Sequence, residues 1–188
     1  GVAADALFAA VAEAAVRGGL AWLALRASEP GQHGVGVCKG WRGCRAAVRF
    51  TPQNLANTVW AYAKTGVAAD ALFAAVAEAA VRGGLAGFKP QELKDTVWAY
   101  ATAGVAADAL FAAVAEAAVR GGLAGFTPQN VAITVWAFAK AGVAAEALFA
   151  AVAKAAVGGG LAGFKPQELS STIWAFATAG EAADALFA

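Results

Sequence analysis

Apolar positions in the repeated stretch FTPQNLANTVWAYAKTG predict an amphipathic helix. Leu55, Val59 and Tyr62 stand at i, i+4 and i+7, which places them on one face of an α-helix. The pair 51–52 is Thr-Pro, a good N-cap followed by a residue suited to the first helical position. Gly66 suits the left-handed residue that ends a helix. The pattern therefore predicts a helix from about residue 52 to residue 65.

A second apolar pattern follows directly and also has helical spacing. Leu72, Phe73 and Val76 form its apolar face, and Gly83 follows its last turn. Asp70 lies in the first turn, where the helix dipole favours an acid. The β-branched residues lie at helical spacing among alanines, and no alternating strand pattern occurs. The sequence therefore predicts pairs of helices.

These pairs recur with a period of 38 residues, which is typical of a repeat array. Three residue types keep this step: Phe50, Phe88, Phe126 and Phe164; Trp60, Trp98, Trp136 and Trp174; Gly66, Gly104, Gly142 and Gly180. Because two helices cannot bury their apolar faces alone, neighbouring repeats must stack, and the predicted fold is an all-α solenoid. Its predicted segments are a second helix of a truncated repeat (1–23), an insertion (24–49), three repeats (50–87, 88–125, 126–163) and a truncated repeat (164–188).

The insertion at 24–49 breaks the period and changes the composition towards Gly and Arg. His33, Cys38 and Cys44 provide three potential metal ligands at loose spacing, whereas a structural zinc site needs four in paired motifs. We therefore expect no metal there. The segment is interpreted either as a linker or as a translated intron in a gene model.

The net charge and the reactive side chains of the chain exclude several classes of function. The net charge is +1, and residues 1–49 carry +3 of it, so the repeats themselves sum to −2. The hydrophobic fraction of 60% is mostly Ala interrupted by acids, and no membrane span is expected. The single His lies in the insertion, and no nucleophile is paired with a base. We expect a binding protein without a cofactor, not an enzyme.

The exposed side of the first helix combines constant and varying positions. Gln53, Asn57 and Lys64 are expected to point outward, with Asn54 alongside them. The Gln is the same in every repeat, whereas the Asn57 position changes from repeat to repeat, as reading one base per repeat requires. The candidate ligand-contacting residues are Gln53, Asn54, Asn57 and Lys64; Gln91, Glu92, Lys94 and Asp95; Gln129, Asn130, Ile133 and Lys140; and Gln167, Ser170 and Ser171.

Two alternatives remain open for this face. The variation on the first helix can reflect free sequence drift at exposed positions. Against this, the exposed side of the second helix keeps an acid at position 70 and its equivalents 108, 146 and 184. The Trp series either packs against the next repeat, which we favour, or stacks on bases.

The repeats also alternate between two types. Those beginning at 50 and 126 carry Thr, Asn and Lys where those at 88 and 164 carry Lys, Glu and Thr, so the pattern repeats over 76 residues. Within a type, the outward position still differs: Asn57, Asp95, Ile133 and Ser171. These four residues are the first candidates for reading a ligand.

The motif PQ[NE]L..T[VI]WA[YF]A..G, followed by an Ala/Leu/Phe-rich helix, resembles the octotricopeptide repeats of algal organelle proteins. It is similar to the helical repeats of the FAST-kinase-like and RAP-domain group and of organelle RNA-editing and processing factors. The resemblance covers all segments except the insertion. It implies sequence-selective binding of single-stranded RNA, as part of an RNA-processing complex in a chloroplast or mitochondrion, with roles in transcript processing, stability, editing or translation. The alternative is a scaffold for protein–protein interaction, which the near-neutral charge suits.

Overall fold

The computed structural model describes residues 8–13, 16, 50–85, 87–159 and 163–181, and all of their regular structure is helical. From residue 50 onward these ranges contain α1 (Pro52–Thr65), α2 (Asp70–Arg82), α3 (Pro90–Ala103), α4 (Asp108–Arg120), α5 (Pro128–Ala141), α6 (Glu146–Gly158) and α7 (Pro166–Ala179). Residues 8–13 and 16 are also helical. The prediction of an all-α solenoid of two-helix repeats is confirmed.

The first helix of each repeat begins at a cap and ends at a glycine. Thr51 Oγ1 accepts from the Asn54 backbone N–H at 3.1 Å, and Pro52 fills the first helical position. Gly66 follows the last turn with φ 68°, and its N–H donates to the Tyr62 carbonyl. The equivalent glycines at 104, 142 and 180 have φ of 70°, 69° and 69°. These local signals give every first helix the same 14-residue length.

The helices form two rows. The first helices α1, α3, α5 and α7 pack on one another in sequence, and the second helices α2, α4 and α6 form the other row. Contacts along the row of first helices are much more extensive than those along the row of second helices. The first helices are therefore the tightly packed side of the solenoid.

Pairs of aromatic rings join each second helix to the first helix of the next repeat. The ring centroids are 4.9–5.0 Å apart and the rings are almost perpendicular, at 78–89°. This edge-to-face geometry is favoured by the charge distribution of aromatic rings. The pairs are Phe8–Tyr62, Phe73–Tyr100, Phe111–Phe138 and Phe149–Phe176.

The first of these pairs joins residues that lie before and after the insertion in the sequence. Phe73 and Tyr100 are 27 residues apart, whereas Phe8 and Tyr62 are 54 apart, so 27 additional residues separate the partners. Their ring geometry is nevertheless the same. The helical residues 8–13 thus occupy the place of a second helix before α1.

A threonine recurs in every first helix; it is buried in α3, α5 and α7 and partly exposed in α1. Each hydroxyl donates to the carbonyl four residues earlier, at 2.7–2.8 Å. The bond satisfies a hydroxyl that would otherwise be buried without a partner. The residues are Thr58, Thr96, Thr134 and Thr172.

The insertion, with His33, Cys38 and Cys44, lies outside the described residues, and so do residues 160–162 and 182–188. Within the described ranges, no group of three or more His, Cys, Asp and Glu residues is placed to hold a metal ion. No helix in these ranges combines the length and hydropathy that crossing a membrane requires.

Candidate nucleic-acid interface

One stripe on each first helix faces away from the second helices. In α1 it consists of Gln53, Asn57, Trp60 and Lys64, at i, i+4, i+7 and i+11. All four of these side chains are exposed. Because the first helices stack in one row, the four stripes lie side by side and form one surface, here called the first-helix face.

The constant and varying positions of the first-helix face differ in exposure. Gln53, Gln91, Gln129 and Gln167 are all exposed, and so are Lys64 and Lys140. At the varying position, Asn57 is exposed, whereas Asp95, Ile133 and Ser171 are partly buried. The Gln positions and both Lys residues are thus open to solvent, whereas the varying position is fully exposed in α1 and partly exposed in α3, α5 and α7.

The expectation is wrong for the positions beside the stripe in the inner repeats. Glu92 and Asn130 are buried at 9% and 5% exposure, although the equivalent Asn54 is exposed. The neighbouring first helix covers this side of α3 and α5, which the sequence of a single repeat does not reveal. Lys94 is also buried, at 9%, whereas Ser170 in α7 is exposed.

Asn54 and Glu92 each cap the N-terminus of the helix in which they lie. Asn54 Oδ1 accepts from the Thr51 backbone N–H at 3.1 Å, and Glu92 Oε2 accepts from the Lys89 backbone N–H at 2.8 Å. Each side chain satisfies a donor at the helix N-terminus that the helix itself leaves unpaired. Asn54 and Glu92 therefore have the same capping role, although Asn54 is exposed and Glu92 is buried.

The Trp side chains form two pairs across neighbouring repeats. The Trp60 and Trp98 ring centroids are 6.2 Å apart, and those of Trp136 and Trp174 are 6.5 Å apart. No ring contact joins Trp98 to Trp136, both of which lie in the described part of the chain. The pairs thus follow the 76-residue alternation read from the sequence.

The Trp rings are not core residues. Trp60 and Trp174 are 42% and 47% exposed, and Trp98 and Trp136 are partly buried. Each ring therefore packs on the next repeat in its pair and still presents part of its surface to solvent. Lys140 Nζ lies 4.9 Å from the centroid of the Trp136 ring, within the range of a cation–π contact.

Asp95 is the one varying residue with fixed polar partners. Its Oδ1 pairs with Lys94 Nζ, and its Oδ2 accepts from Gln91 Nε2 at 3.0 Å. About a fifth of the Asp95 side chain remains exposed, against 11% of the Lys94 side chain. Sequence reasoning missed this cluster because adjacent residues on a helix do not ordinarily face each other.

Charge is separated between the two rows, although the array is near neutral. The first helices and their caps carry five Lys (64, 89, 94, 140, 165) and three acids (92, 95, 168), a balance of +2. The second helices carry three bases (82, 120, 154) and five acids (70, 78, 108, 116, 146), a balance of −2. The exposed pairs Glu78–Arg82 and Glu116–Arg120 neutralise part of the second row. The first-helix face is thus the more favourable side for an anionic ligand.

Part of the chain is similar to a known protein family. Residues 43–114 match the family described as "Tbc2 translation factor, N-terminal domain". The matched segment is under half of the chain and includes α1, α2, α3 and the first half of α4. No curated protein matches the chain. The chain is therefore similar, over the repeat 50–87 and most of the repeat 88–125, to the N-terminal domain of a translation factor.

Proposed function

We propose that this chain is a sequence-selective, single-stranded RNA-binding module that acts in organelle RNA processing, stability, editing or translation. The proposal rests on the first-helix face, where each repeat has the same Gln and Trp and one side chain that varies. Exposed aromatic surface offers stacking that every base accepts, and varying polar groups offer selection between bases.

The similarity to a translation factor domain supports an RNA-related role. The proposed site of action is a chloroplast or mitochondrion, and the proposed partners are an organelle transcript and other proteins of an RNA-processing complex. Nothing in this role requires catalysis, and we propose that the module acts by binding alone.

A titration of the 188-residue chain with fluorescein-labelled RNA tests the proposal. We expect single-stranded RNA of mixed sequence to bind more tightly than the matched duplex, because only unpaired bases can stack on the Trp rings. Replacing both exposed rings, Trp60→Ala with Trp174→Ala, should weaken binding by about tenfold or more. The matched control is Val81→Ala with Val119→Ala, which removes exposed apolar surface from the second helices.

Equal affinity for single-stranded and duplex RNA at low salt would contradict the proposal. Equal losses of RNA affinity in the Trp variant and the Val variant would contradict the assignment of the RNA-binding site to the first-helix face. Circular dichroism of each variant separates a loss of binding from a loss of fold.

The alternative is a protein-interaction scaffold, and one feature favours it. The row of second helices exposes Val81, Val119 and Val157 among alanines, at 36–44% exposure. A partner recovered by pull-down after nuclease treatment, and lost on Val119→Lys but not on Trp60→Ala, would support this function instead.

A further inference from the structure

The varying position of the first-helix face carries four side chains with different hydrogen-bonding capacities. Asn57 has both a donor and an acceptor, and so has the hydroxyl of Ser171. Ile133 has neither, and Asp95 offers acceptors alone. Repeat 88–125 is therefore the one whose varying position is restricted to a ligand that donates.

The Asp95 carboxylate is held in one orientation before any ligand arrives. Lys94 engages Oδ1 and Gln91 engages Oδ2, so the group has contacts on both oxygens. A carboxylate has about four lone-pair sites, and each oxygen keeps one for a further donor. A fixed group loses less conformational entropy on binding than a mobile one.

Lys94 occurs only in this repeat. The equivalent residues are Ala56, Ala132 and Ser170, so the cation and the carboxylate occur together. Pairing with Lys94 offsets the negative charge that would otherwise repel the phosphates of a bound strand. The cluster thus makes an acceptor site compatible with an anionic polymer.

Base chemistry then limits what this acceptor site recognises. The Watson–Crick edge of guanine presents two adjacent donors, N1–H and N2–H, which match two carboxylate oxygens in parallel. The edges of adenine, cytosine and uracil each place an acceptor next to their donor, which would face a carboxylate oxygen. A misplaced acceptor leaves polar groups unpaired and lowers affinity.

We propose that Asp95, positioned by Lys94 and Gln91, selects guanine at the base that contacts repeat 88–125. The inference rests on the proposed RNA-binding function. Lys94 is a positioning residue that acts through the carboxylate, whereas Asp95 contacts the base.

The test uses uridine 12-mers with one central guanine, adenine or cytosine. Such strands can slide until the single different base reaches its preferred repeat. The wild-type chain should bind the guanine strand about tenfold more tightly than the adenine strand, as expected of one bidentate pair. Inosine, which lacks the N2 amino group, should lose most of this preference without any change to the protein.

Two variants copy residues that other repeats already carry, so both should fold. Asp95→Asn reproduces Asn57 and should abolish the guanine preference, measured as the ratio of the affinities for the guanine and adenine strands. Lys94→Ala reproduces Ala56 and should reduce the preference, because the carboxylate loses its partner. The control Asp108→Asn removes an exposed acid from α4 and should leave the preference unchanged.

The outcomes separate the two proposals. Guanine preference that survives in Asp95→Asn, or an inosine strand that binds as well as the guanine strand, would overturn the role of Asp95 and leave RNA binding intact. Failure of the wild-type chain to bind any of the strands would overturn both.

Discussion

One buried position of the first helices is Tyr in α1 and α3 and Phe in α5 and α7, and the difference is a single hydroxyl. Tyr100 lies edge-to-face on Phe73, and its hydroxyl donates to the Phe73 carbonyl at 2.6 Å. Phe138 and Phe176 make the same ring contact without a hydroxyl. The ring therefore serves the packing in every repeat, and the hydroxyl adds a hydrogen bond in some. Burial raises the pKa of Tyr100 and, less strongly, that of Tyr62 above the usual value for tyrosine.

Replacing Tyr100 with Phe should lower the free energy of unfolding by about 1 kcal/mol at neutral pH, since one hydrogen bond is lost. Above about pH 10 the unfolded chain releases the tyrosine proton while the folded chain, with its raised pKa, retains it. The stability that the hydroxyl contributes is thus complete below pH 10 and is lost as the pH rises towards the raised pKa. Urea unfolding from pH 7 to pH 11 should show the two curves converging, and a constant difference would contradict this.

Glycine is required at position 104 by the backbone conformation, not by a collision that a side chain would cause. Its φ is +70°, and a Cβ added there would meet no atom within 4 Å. Gly104→Ala should therefore cost about 1–2 kcal/mol of stability from the left-handed conformation alone. Gly158 is the matched control because it is helical and equally unobstructed, so Gly158→Ala should stabilise by up to about 1 kcal/mol. Thermal unfolding should show a lower melting temperature for Gly104→Ala and a higher one for Gly158→Ala.

Among the helices, the edge-to-face ring pairs link each second helix to the first helix of the next repeat. Phe111 in α4 and Phe138 in α5 are fully buried, and their centroids are 4.9 Å apart. Stability of a solenoid depends on such interfaces between neighbours as well as on each repeat. Loss of one ring should therefore lower the stability of the array and also allow the repeats on either side to unfold separately.

Phe111→Ala should cost about 3–5 kcal/mol, the usual range for a buried ring. We also expect the single unfolding transition to broaden or split, because the repeats before and after the interface lose their coupling. Urea titrations followed by circular dichroism measure both effects. The control Val119→Ala lies in the same helix on an exposed site and should change little. A large loss with an unchanged, sharp transition would show that the ring does not couple the repeats.

Across the array, the separation of charge predicts how RNA binding depends on salt. The first helices with their caps carry a balance of +2 and the second helices −2, so few cations are available to phosphates. For single strands, the logarithm of the affinity falls with the logarithm of the salt concentration by about 0.7 for each phosphate neutralised. With two exposed Lys on the first-helix face, Lys64 and Lys140, and two at the caps, we expect a slope no steeper than about 3.

Lys64→Ala and Lys140→Ala should each reduce this slope by about 0.7. The matched control is Lys154→Ala, which removes an exposed cation from the row of second helices and should leave the slope unchanged. Affinity measured between 50 and 300 mM salt provides the slopes. Equal reductions in all three variants would indicate that RNA does not distinguish the two rows.

Much of the candidate interface follows from the sequence of one repeat. The exposed positions of Gln53, Asn57 and Lys64 follow from the apolar face opposite them, and the structure agrees. The same reasoning failed for Glu92, Asn130 and Lys94, which lie at the side of the helix and are covered by its neighbour. It also did not reveal that the Trp rings are paired and half exposed, nor that Lys94 and Gln91 hold Asp95.

The sequence by itself determined the helices, their ends and their stacking into a solenoid. Caps, glycine stops and apolar faces act within a few residues, and the 38-residue period demands a neighbour for every repeat. Only the tertiary structure decided which lateral positions remain open to a ligand. That choice depends on how closely successive first helices approach, and this spacing is set by packing between residues 38 positions apart.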